Sequence, residues 1–485
     1  MTAILLACGV LLPCVAAWAL LRLADPSPQG VAGHALRAGL ALLLGPAATT
    51  ILVYAWLLGG AALGRGYALS EAVLCALVAA WALRRRRPAD AAPAPGPTRV
   101  EWAALAVALV AILLATVFFV RGAAASPHGD WDAWAIWNQR ARFLFRGGNG
   151  GWRFAFDAAL AWSNTGYPLL LPAAVARLWA YAGETAAAPG VVAGVFALAP
   201  LLVLLGGAGR QAGIVAGAAA TVLLAGTSSW FLWAYAQGAD IPVGALVAAA
   251  VTALIEAEGA EGRRRAALDG VAGLALGLAA WTKDEGLMFA AVFGAAALVR
   301  AGRAGALRRA AALALGAALP LAARLHFQVT IAPALAAALT AGQSAVGIAD
   351  RVLDGARWRQ IIATVPGHLP GYGRGLPLVP FILAPLAGAR PRALLRSYAV
   401  PALGAYAAFL LVYAATPLPL AYHITTSAPR ILNQPWPALL LGLFAIARRR
   451  SAGAMLAASE QPDVEPRGER VQKGTRQRRR ASRRD

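Results

Sequence analysis

"EWAALAVALVAILLATVFFVRGAAASPHGDWDAW", residues Glu101 to Trp134, sets the two decisive patterns of this chain side by side. From Trp102 to Val120 there is no charged residue, and a helix of about 20 such residues crosses a bilayer core of roughly 30 Å. Immediately afterwards come two aspartates, Asp130 and Asp132, among the tryptophans Trp131, Trp134 and Trp137. The apolar part shows no polar/apolar alternation of the kind a membrane barrel strand requires.

The apolar pattern recurs from end to end. Of 485 residues, 59% are hydrophobic and 14% charged, with mean hydropathy +0.61. A soluble domain is about a quarter charged. The sequence therefore predicts an all-α polytopic membrane protein. Candidate spans are 3–24, 38–60, 68–83, 101–121, 188–208, 212–229, 240–257, 267–282, 286–300, 309–326, 375–390, 398–415 and 434–448. The first lacks a basic leader and is followed by further spans, so it reads as a retained helix and not a cleaved signal. Segment 167–182 is also apolar, but it is entered through "TGYPLLLP", with Pro168 and Pro172 in its first turns.

The net charge is +22. In a soluble protein this would suggest nucleic acid. Here the basic residues crowd into loops and into the tail "RGERVQKGTRQRRRASRRD". They read as the positive-inside bias together with attraction to anionic lipid headgroups, and no nucleic-acid partner is expected. Cys8, Cys14 and Cys75 fall within spans, where they act as small apolar residues; no disulfide framework or zinc spacing is present. Heavy use of Ala, Gly, Arg and Pro matches a GC-rich bacterial genome, which points to the bacterial inner membrane.

Basic clusters also set the topology. Arg84–Arg87, Arg263–Arg265, Arg300 with Arg303, Arg308 and Arg309, Arg390 with Arg392 and Arg396, and Arg448–Arg450 all stay cytoplasmic only if 167–182 does not cross. That segment is then a surface or re-entrant helix. About 13 spans result, with the N-terminus outside and the C-terminus inside. Residues 1–83 form an N-terminal set of membrane helices, 84–100 a Pro/Ala/Arg linker, 101–450 the main membrane region and 451–485 a basic, disordered tail.

On this topology the polar motifs collect on the outer face. "HGDWDAWAIWNQRARF" carries Asp130, Asp132, Asn138, Arg140 and Arg142; "WAYAQGADIP" carries Gln237 and Asp240; "GLAAWTKDEGLMF" carries Lys283, Asp284 and Glu285; "YHITTSAPRILNQPWP" carries His423, Arg430 and Gln434. Each has a bland reading. The tryptophans suit an interfacial aromatic belt, with Trp131, Trp134 and Asn138 on one helical face. Asp240 before Ile-Pro suits a helix N-cap. "TKDEG" suits a polar hairpin turn punctuated by Gly286. The acids, however, gain nothing from anionic headgroups, and ionisable residues at a membrane edge are functional candidates by default. Lys283 can neutralise a phosphate as a point charge, and Arg430 runs against the inside bias. Such a set suits an amphiphile with an anionic head, such as a lipid-linked phosphosugar, with a carboxylate handling the acceptor's proton.

Over residues 100 to 450 the chain resembles the membrane-embedded glycosyltransferases of the GT-C superfamily. It is most similar to the RgtA/B/C/D-like branch with its aminoarabinose transferases and protein mannosyltransferases. The resemblance lies in the order of four motifs: an acid-bearing first outer loop, "YPLLLP", an Asp-Ile-Pro turn and "GLALGLAAWTKDEG". It implies inverting transfer from a polyprenyl-phosphate sugar donor to a glycolipid, glycan or protein acceptor. Asp132 best matches the first-loop general base. The loop reads "DWDAW" where relatives often have Asp-Glu, so Asp130 remains the alternative. Asp240 matches the second-loop acid, Lys283 and Glu285 the Lys-x-Glu-Gly turn, and Arg430 a phosphate ligand, with His423, Arg142 and Tyr167 as further substrate contacts. Some relatives use a divalent metal and others do not. No cofactor is certain, and Asp132, Asp240 and His423 are the candidate ligands. The rival reading is a transporter or lipid flippase, which calls for inverted repeats and polar groups near span centres. No repeat is detectable, and most acids sit at span ends, Glu71 excepted.

Overall fold

The computed structural model describes residues 1–25, 30–85, 96–332, 344–372, 376–377 and 396–446. The expected span 375–390, the tail 451–485, the centre of the linker and the residues Arg390, Arg392 and Arg448–Arg450 lie outside the described residues, apart from 376–377. Nearly all of the described chain is helical. Ala- and Leu-rich segments have no hydrogen-bond partners in lipid other than their own backbone, and a helix satisfies every one of them internally.

The long helices are α1 (Thr2–Ala24), α2 (Gly30–Leu58), α3 (Arg65–Arg84) and α4 (Arg99–Ala125). After α4 come the short α5 (Asn138–Arg146) and α6 (Leu170–Ala182). Next are α7 (Ala187–Ala212), α8 (Ile214–Ala225), α9 (Ser228–Tyr235), α10 (Asp240–Glu258) and α11 (Gly262–Thr282). A break at Gly302 separates α12 (Asp284–Gly302) from α13 (Gly305–Thr330). The amphipathic α14 (Ala345–Leu353) and α15 (Gly355–Thr364) precede α16 (Ala399–Ala415), α17 (Leu420–Ile431) and α18 (Trp436–Ile446). One two-residue antiparallel pair, Gly371–Tyr372 with Leu376–Pro377, is the sheet content of the described residues.

Among the described residues, eight helices are long and apolar enough to cross a membrane: α1 to α4, α7, α10, α12 and α13. The count is nine if α8 and α9, bent by 57° against each other, are one span; the expected span 212–229 took in α8 and only the first two residues of α9. The bend falls at Gly226 and Thr227, where Thr227 Oγ1 hydrogen-bonds back to the Leu223 carbonyl (2.8 Å). Helix α11 carries Arg263–Arg265 and Asp269 in its first turns and packs between α10 and α12. Small residues permit this packing: a Cβ on Gly273 of α11 would lie 2.1 Å from the Leu313 carbonyl oxygen of α13. Close backbone approach of this kind replaces the hydrophobic effect as the glue between membrane helices.

The helices end in two polar layers. At one, α1, α7, α10, α11, α12 and α13 meet in ion pairs: Asp25 with Arg210 (2.7 Å) and Arg264 (2.8 Å), Glu256 with Arg210 (2.8 Å), Glu258 with Arg300 (3.1 Å) and Arg309 (2.8 Å), and Asp269 with Arg309 (2.9 Å). At the other, Asp130, Gln237, Asp240, Lys283, Arg324, Arg430 and Gln434 gather. The polar motifs that the sequence assigned to one face therefore do share one end of the bundle.

Helix α6 enters and leaves at this second end. Tyr167, just before it, lies against Lys283, and Glu184, just after it, is held by Arg142 and Arg146 of the first loop. Residues Leu170–Ala180 are buried, packed against α1, α2, α3, α5 and α7. Helix α6 is therefore not exposed on the outside of the bundle but packed within it. Arg177 of α6 explains the depth. Its guanidinium donates to Glu71 of α3 (2.5 Å), which also accepts from the Tyr67 (2.5 Å) and Tyr181 (3.2 Å) hydroxyls. Glu71 is thereby a satisfied buried anion that fastens α6 to α3.

Candidate active site

The first loop is pinned before it reaches the acids. Gly129 has φ +70°, and a Cβ there would sit 2.6 Å from both Ala133 Cβ and the Ala236 carbonyl oxygen. This close turn lets the Asp130 amide donate to the Ala236 carbonyl at the end of α9 (3.1 Å). Asp130 then opens the next turn, its own carboxylate accepting from the Trp131 amide (2.7 Å). Residues Ala133–Trp137 form a π-helical turn. The wider turn inserts an extra residue and rotates the side chains that come after it. Trp131 and Trp134 stay about half exposed, whereas Trp137 and Asn138 turn into the core. The shared face expected for Trp131, Trp134 and Asn138 is corrected by this phase shift. Asn138 Nδ2 instead donates to Gln237 Oε1 (2.8 Å), and Gln237 Nε2 donates to the Pro127 carbonyl (3.0 Å). Two outer loops are thus tied together. Arg140, buried in the next turn, donates to the Ser163 (2.6 Å) and Tyr167 (3.4 Å) carbonyls and shapes the approach to α6. Burial lowers its pKa to about 10.

Asp240 does not cap α10. Ala239 occupies the cap position and Asp240 is the first helical residue, its carboxylate turned to side chains. It accepts from Lys283 Nζ (2.9 Å) and Gln434 Nε2 (2.5 Å). Lys283 is aimed there by the tight turn between α11 and α12. Gly286 is indispensable to that turn, because a Cβ would lie 1.9 Å from the Ala279 carbonyl oxygen. Lys283 also pairs with Glu285 (2.9 Å) and lies 5.8 Å from the centre of the Tyr167 ring, which stacks on Trp137. Burial pulls the Lys283 pKa down, but Asp240 and Glu285 outweigh it and hold the amine well above its usual value. Burial pushes the Tyr167 phenol up to about 12. Asp284 points away, to Arg324 (2.6 Å).

From the last loop, Arg430 of α17 hydrogen-bonds Asp132, and its Nε lies 3.9 Å from Asp240 Oδ2. Asp132, Asp240, Lys283, Glu285, Arg430 and Tyr167 therefore form one contiguous set, with Asp130 close enough to bear on the Arg430 charge. Within it, exposure separates the two ion pairs. The Asp132 and Arg430 side chains are 24% and 23% exposed, against 2% for Asp240 and 6% for Lys283. A ligand from outside meets Asp132 and Arg430 first.

Two expected members stand apart. Arg142 binds Glu184 (3.1 Å) beside Trp179. His423 packs on the Tyr413 ring (5.1 Å), where burial lowers its pKa. Among the described residues no group of three or more His, Cys, Asp or Glu side chains is placed to hold a metal, so the trio Asp132, Asp240 and His423 is not assembled. Sequence reasoning noticed Gln434 and Gln237 as polar residues but not their work. Their signal was an amide at the edge of an apolar run, where an unsatisfied polar group is costly and a partner is therefore demanded.

The fold and this cluster define a multi-pass α-helical membrane protein with a charged constellation at one end of its bundle. No family model matches the chain, and no curated protein or solved structure matches it significantly.

Proposed function

We propose that this chain is a membrane glycosyltransferase of the GT-C type with about 13 spans, seated in a bacterial inner membrane with the charged constellation facing outward. It moves a sugar from a polyprenyl-phosphate donor to an acceptor hydroxyl. One observation carries this reading. Four loops separated by up to 298 positions converge on Asp132, Asp240, Lys283 and Arg430. Among the described residues, the long helices run between the two polar layers, which supports this reading.

The chemistry rests on the exposure gradient. Lys283 and Arg430 are the cations for the donor phosphate. Arg430, shared between Asp132 and Asp240, can turn from Asp132 to the arriving phosphate. That frees Asp132 to accept the acceptor's proton as its oxygen attacks the anomeric carbon. The C–O bond to phosphate breaks, and polyprenyl phosphate leaves with the bonding pair against Arg430 and Lys283. Attack from the face opposite the leaving group inverts the configuration. Asp240, already saturated by Lys283 and Gln434, is the fixed counter-charge that holds Lys283 in place. Asp130 spends its carboxylate on a turn, which favours Asp132 as base.

The test is sugar transfer or donor hydrolysis by purified protein in liposomes, with a panel of radiolabelled polyprenyl-phosphate sugars. Wild type, Asp132→Asn and Asp130→Asn are compared. Turnover lost in Asp132→Asn at unchanged folding supports the assignment; equal turnover in all three rejects it.

A further inference from the structure

Beside the charged constellation lies a second feature, built from residues that have no part in the proton and phosphate chemistry above. A cleft of about 520 Å³ opens in the first loop, lined by Trp134, Gln139, Arg142, Arg146, Phe154 and Trp162 among others. This is within the size range of small-ligand sites, roughly 300–1,000 Å³. Its aromatic members are unusually accessible for their size: Trp134 is 50%, Trp162 53% and Phe154 67% exposed. Trp131 links this platform to Asp132, lying edge-on to Trp134 (6.0 Å) and Trp162 (6.5 Å).

The charge in the cleft is unbalanced. Arg142 and Arg146 share the single carboxylate of Glu184, at 3.1 Å and 2.7 Å. Two guanidiniums against one acid leave one positive charge and several N–H groups facing the opening. Gln139 Oε1 adds an acceptor, buried and without a hydrogen-bond partner. Such an orphaned polar atom calls for a ligand or water to complete it. Flat aromatic faces suit the C–H faces of a sugar ring, the amide oxygen suits a hydroxyl donor, and paired arginines suit a carboxylate or phosphate.

We propose that this cleft binds a negatively charged sugar, and that it is the acceptor subsite of the transfer reaction. The acceptor role rests on the glycosyltransferase reading; the binding does not. A sugar seated on Trp134 and Trp162 lies beside Trp131, which leads to Asp132, so one of its hydroxyls can reach the base. The charged group on the sugar sets specificity through Arg142 and Arg146, away from the donor phosphate held by Arg430 and Lys283.

Full-length protein in nanodiscs of neutral lipid tests this by tryptophan fluorescence quenching. The probes are digalacturonate and glucose 1-phosphate, with maltose as the neutral control. Saturable quenching by at least one charged sugar, at an affinity about tenfold or more above maltose, is the expected result. Trp162→Ala and Arg146→Gln each weaken it about tenfold. Equal response to maltose, no saturable response to either charged sugar, or unchanged binding in both cleft variants overturns the proposal. An equal response to glycerol 3-phosphate assigns the cleft to a lipid headgroup and overturns it as well. Binding confirmed in a protein whose turnover ignores Asp132→Asn keeps the sugar site and sinks only its acceptor role.

Discussion

The two polar ends of the bundle use the same residue types to opposite effect. At the end holding Asp25, Glu256, Glu258 and Asp269, arginines from neighbouring helices close on each acid. Arg309 bridges Glu258 and Asp269, with Arg300 closing on Glu258 as well, and the Arg309 side chain is 2% exposed. Among the described residues, buried polar atoms without a hydrogen-bond partner occur at both ends, Arg22 Nε at the first, but they are more numerous at the end holding Asp132 and Asp240: Nε1 of Trp137 and Trp281, Nε of Arg140 and Arg430, Oε1 of Gln434 and Nδ1 of His423. Native proteins satisfy nearly all such groups. A structural clamp closes its hydrogen bonds, whereas a site leaves some open for what it binds. The comparison teaches that ion-pair density does not mark function here; incompleteness and exposure do.

The largest effects should split by end. Arg309→Met strands the buried Asp269 carboxylate and takes one of two arginines from Glu258, and breaking a buried pair from one side costs about 3–5 kcal/mol. Thermal unfolding in detergent should register that loss, while transfer per folded molecule stays at the wild-type rate. Asp132→Asn should do the reverse. Loss of a positioned general base lowers turnover by about 10²–10⁴, yet the pair with Arg430, about a quarter exposed, contributes less to stability than the buried Arg309–Asp269 pair. Lost turnover in Arg309→Met at full stability would dissolve the distinction between the ends.

A smaller change sharpens the reading of the site end. Arg430→Lys keeps the charge but loses the planar fork that serves Asp132 and faces Asp240. Transfer should fall about tenfold in kcat/KM, roughly 1.4 kcal/mol, with inversion retained. A fall no larger than twofold would reduce Arg430 to a point charge.

The long helices were legible because an apolar run of spanning length has one stable form in lipid. The common end of the four motifs was legible because charge asymmetry in loops fixes crossing parity. What composition does not encode is phase and partner. The π-turn after Asp132 takes Asn138 off the face of Trp131 and Trp134, and nothing in "AWAIW" announces it. Asp240 before Ile-Pro reads locally as a cap. Only the distant Lys283 and Gln434 reveal that its carboxylate is engaged elsewhere. Arg142 looked like a substrate ligand from its place in the loop. Its partner, Glu184, lies 42 positions on, across the unrecognised burial of α6.

The subtlest expected effect concerns that last pair. Arg146, with Arg142, holds the Glu184 carboxyl below the usual carboxylate range through direct hydrogen bonds. A folded pKa below the unfolded value of about 4.3 means that the clamp's contribution is complete above that value. It disappears as the pH falls through the lower, folded pKa. Between pH 5 and 8 the cleft should therefore be indifferent to pH, and its opening should appear only in stronger acid. Backbone hydrogen exchange at 142–146 and 183–185, followed from pH 7 to pH 3 and corrected for intrinsic rates, reads this directly. Protection should hold to pH 5 and drop below pH 4, and Glu184→Gln should abolish the step. A transition near pH 6 instead would place control in a histidine. It would break the picture of a cleft clamped by the Glu184 carboxylate between Arg142 and Arg146.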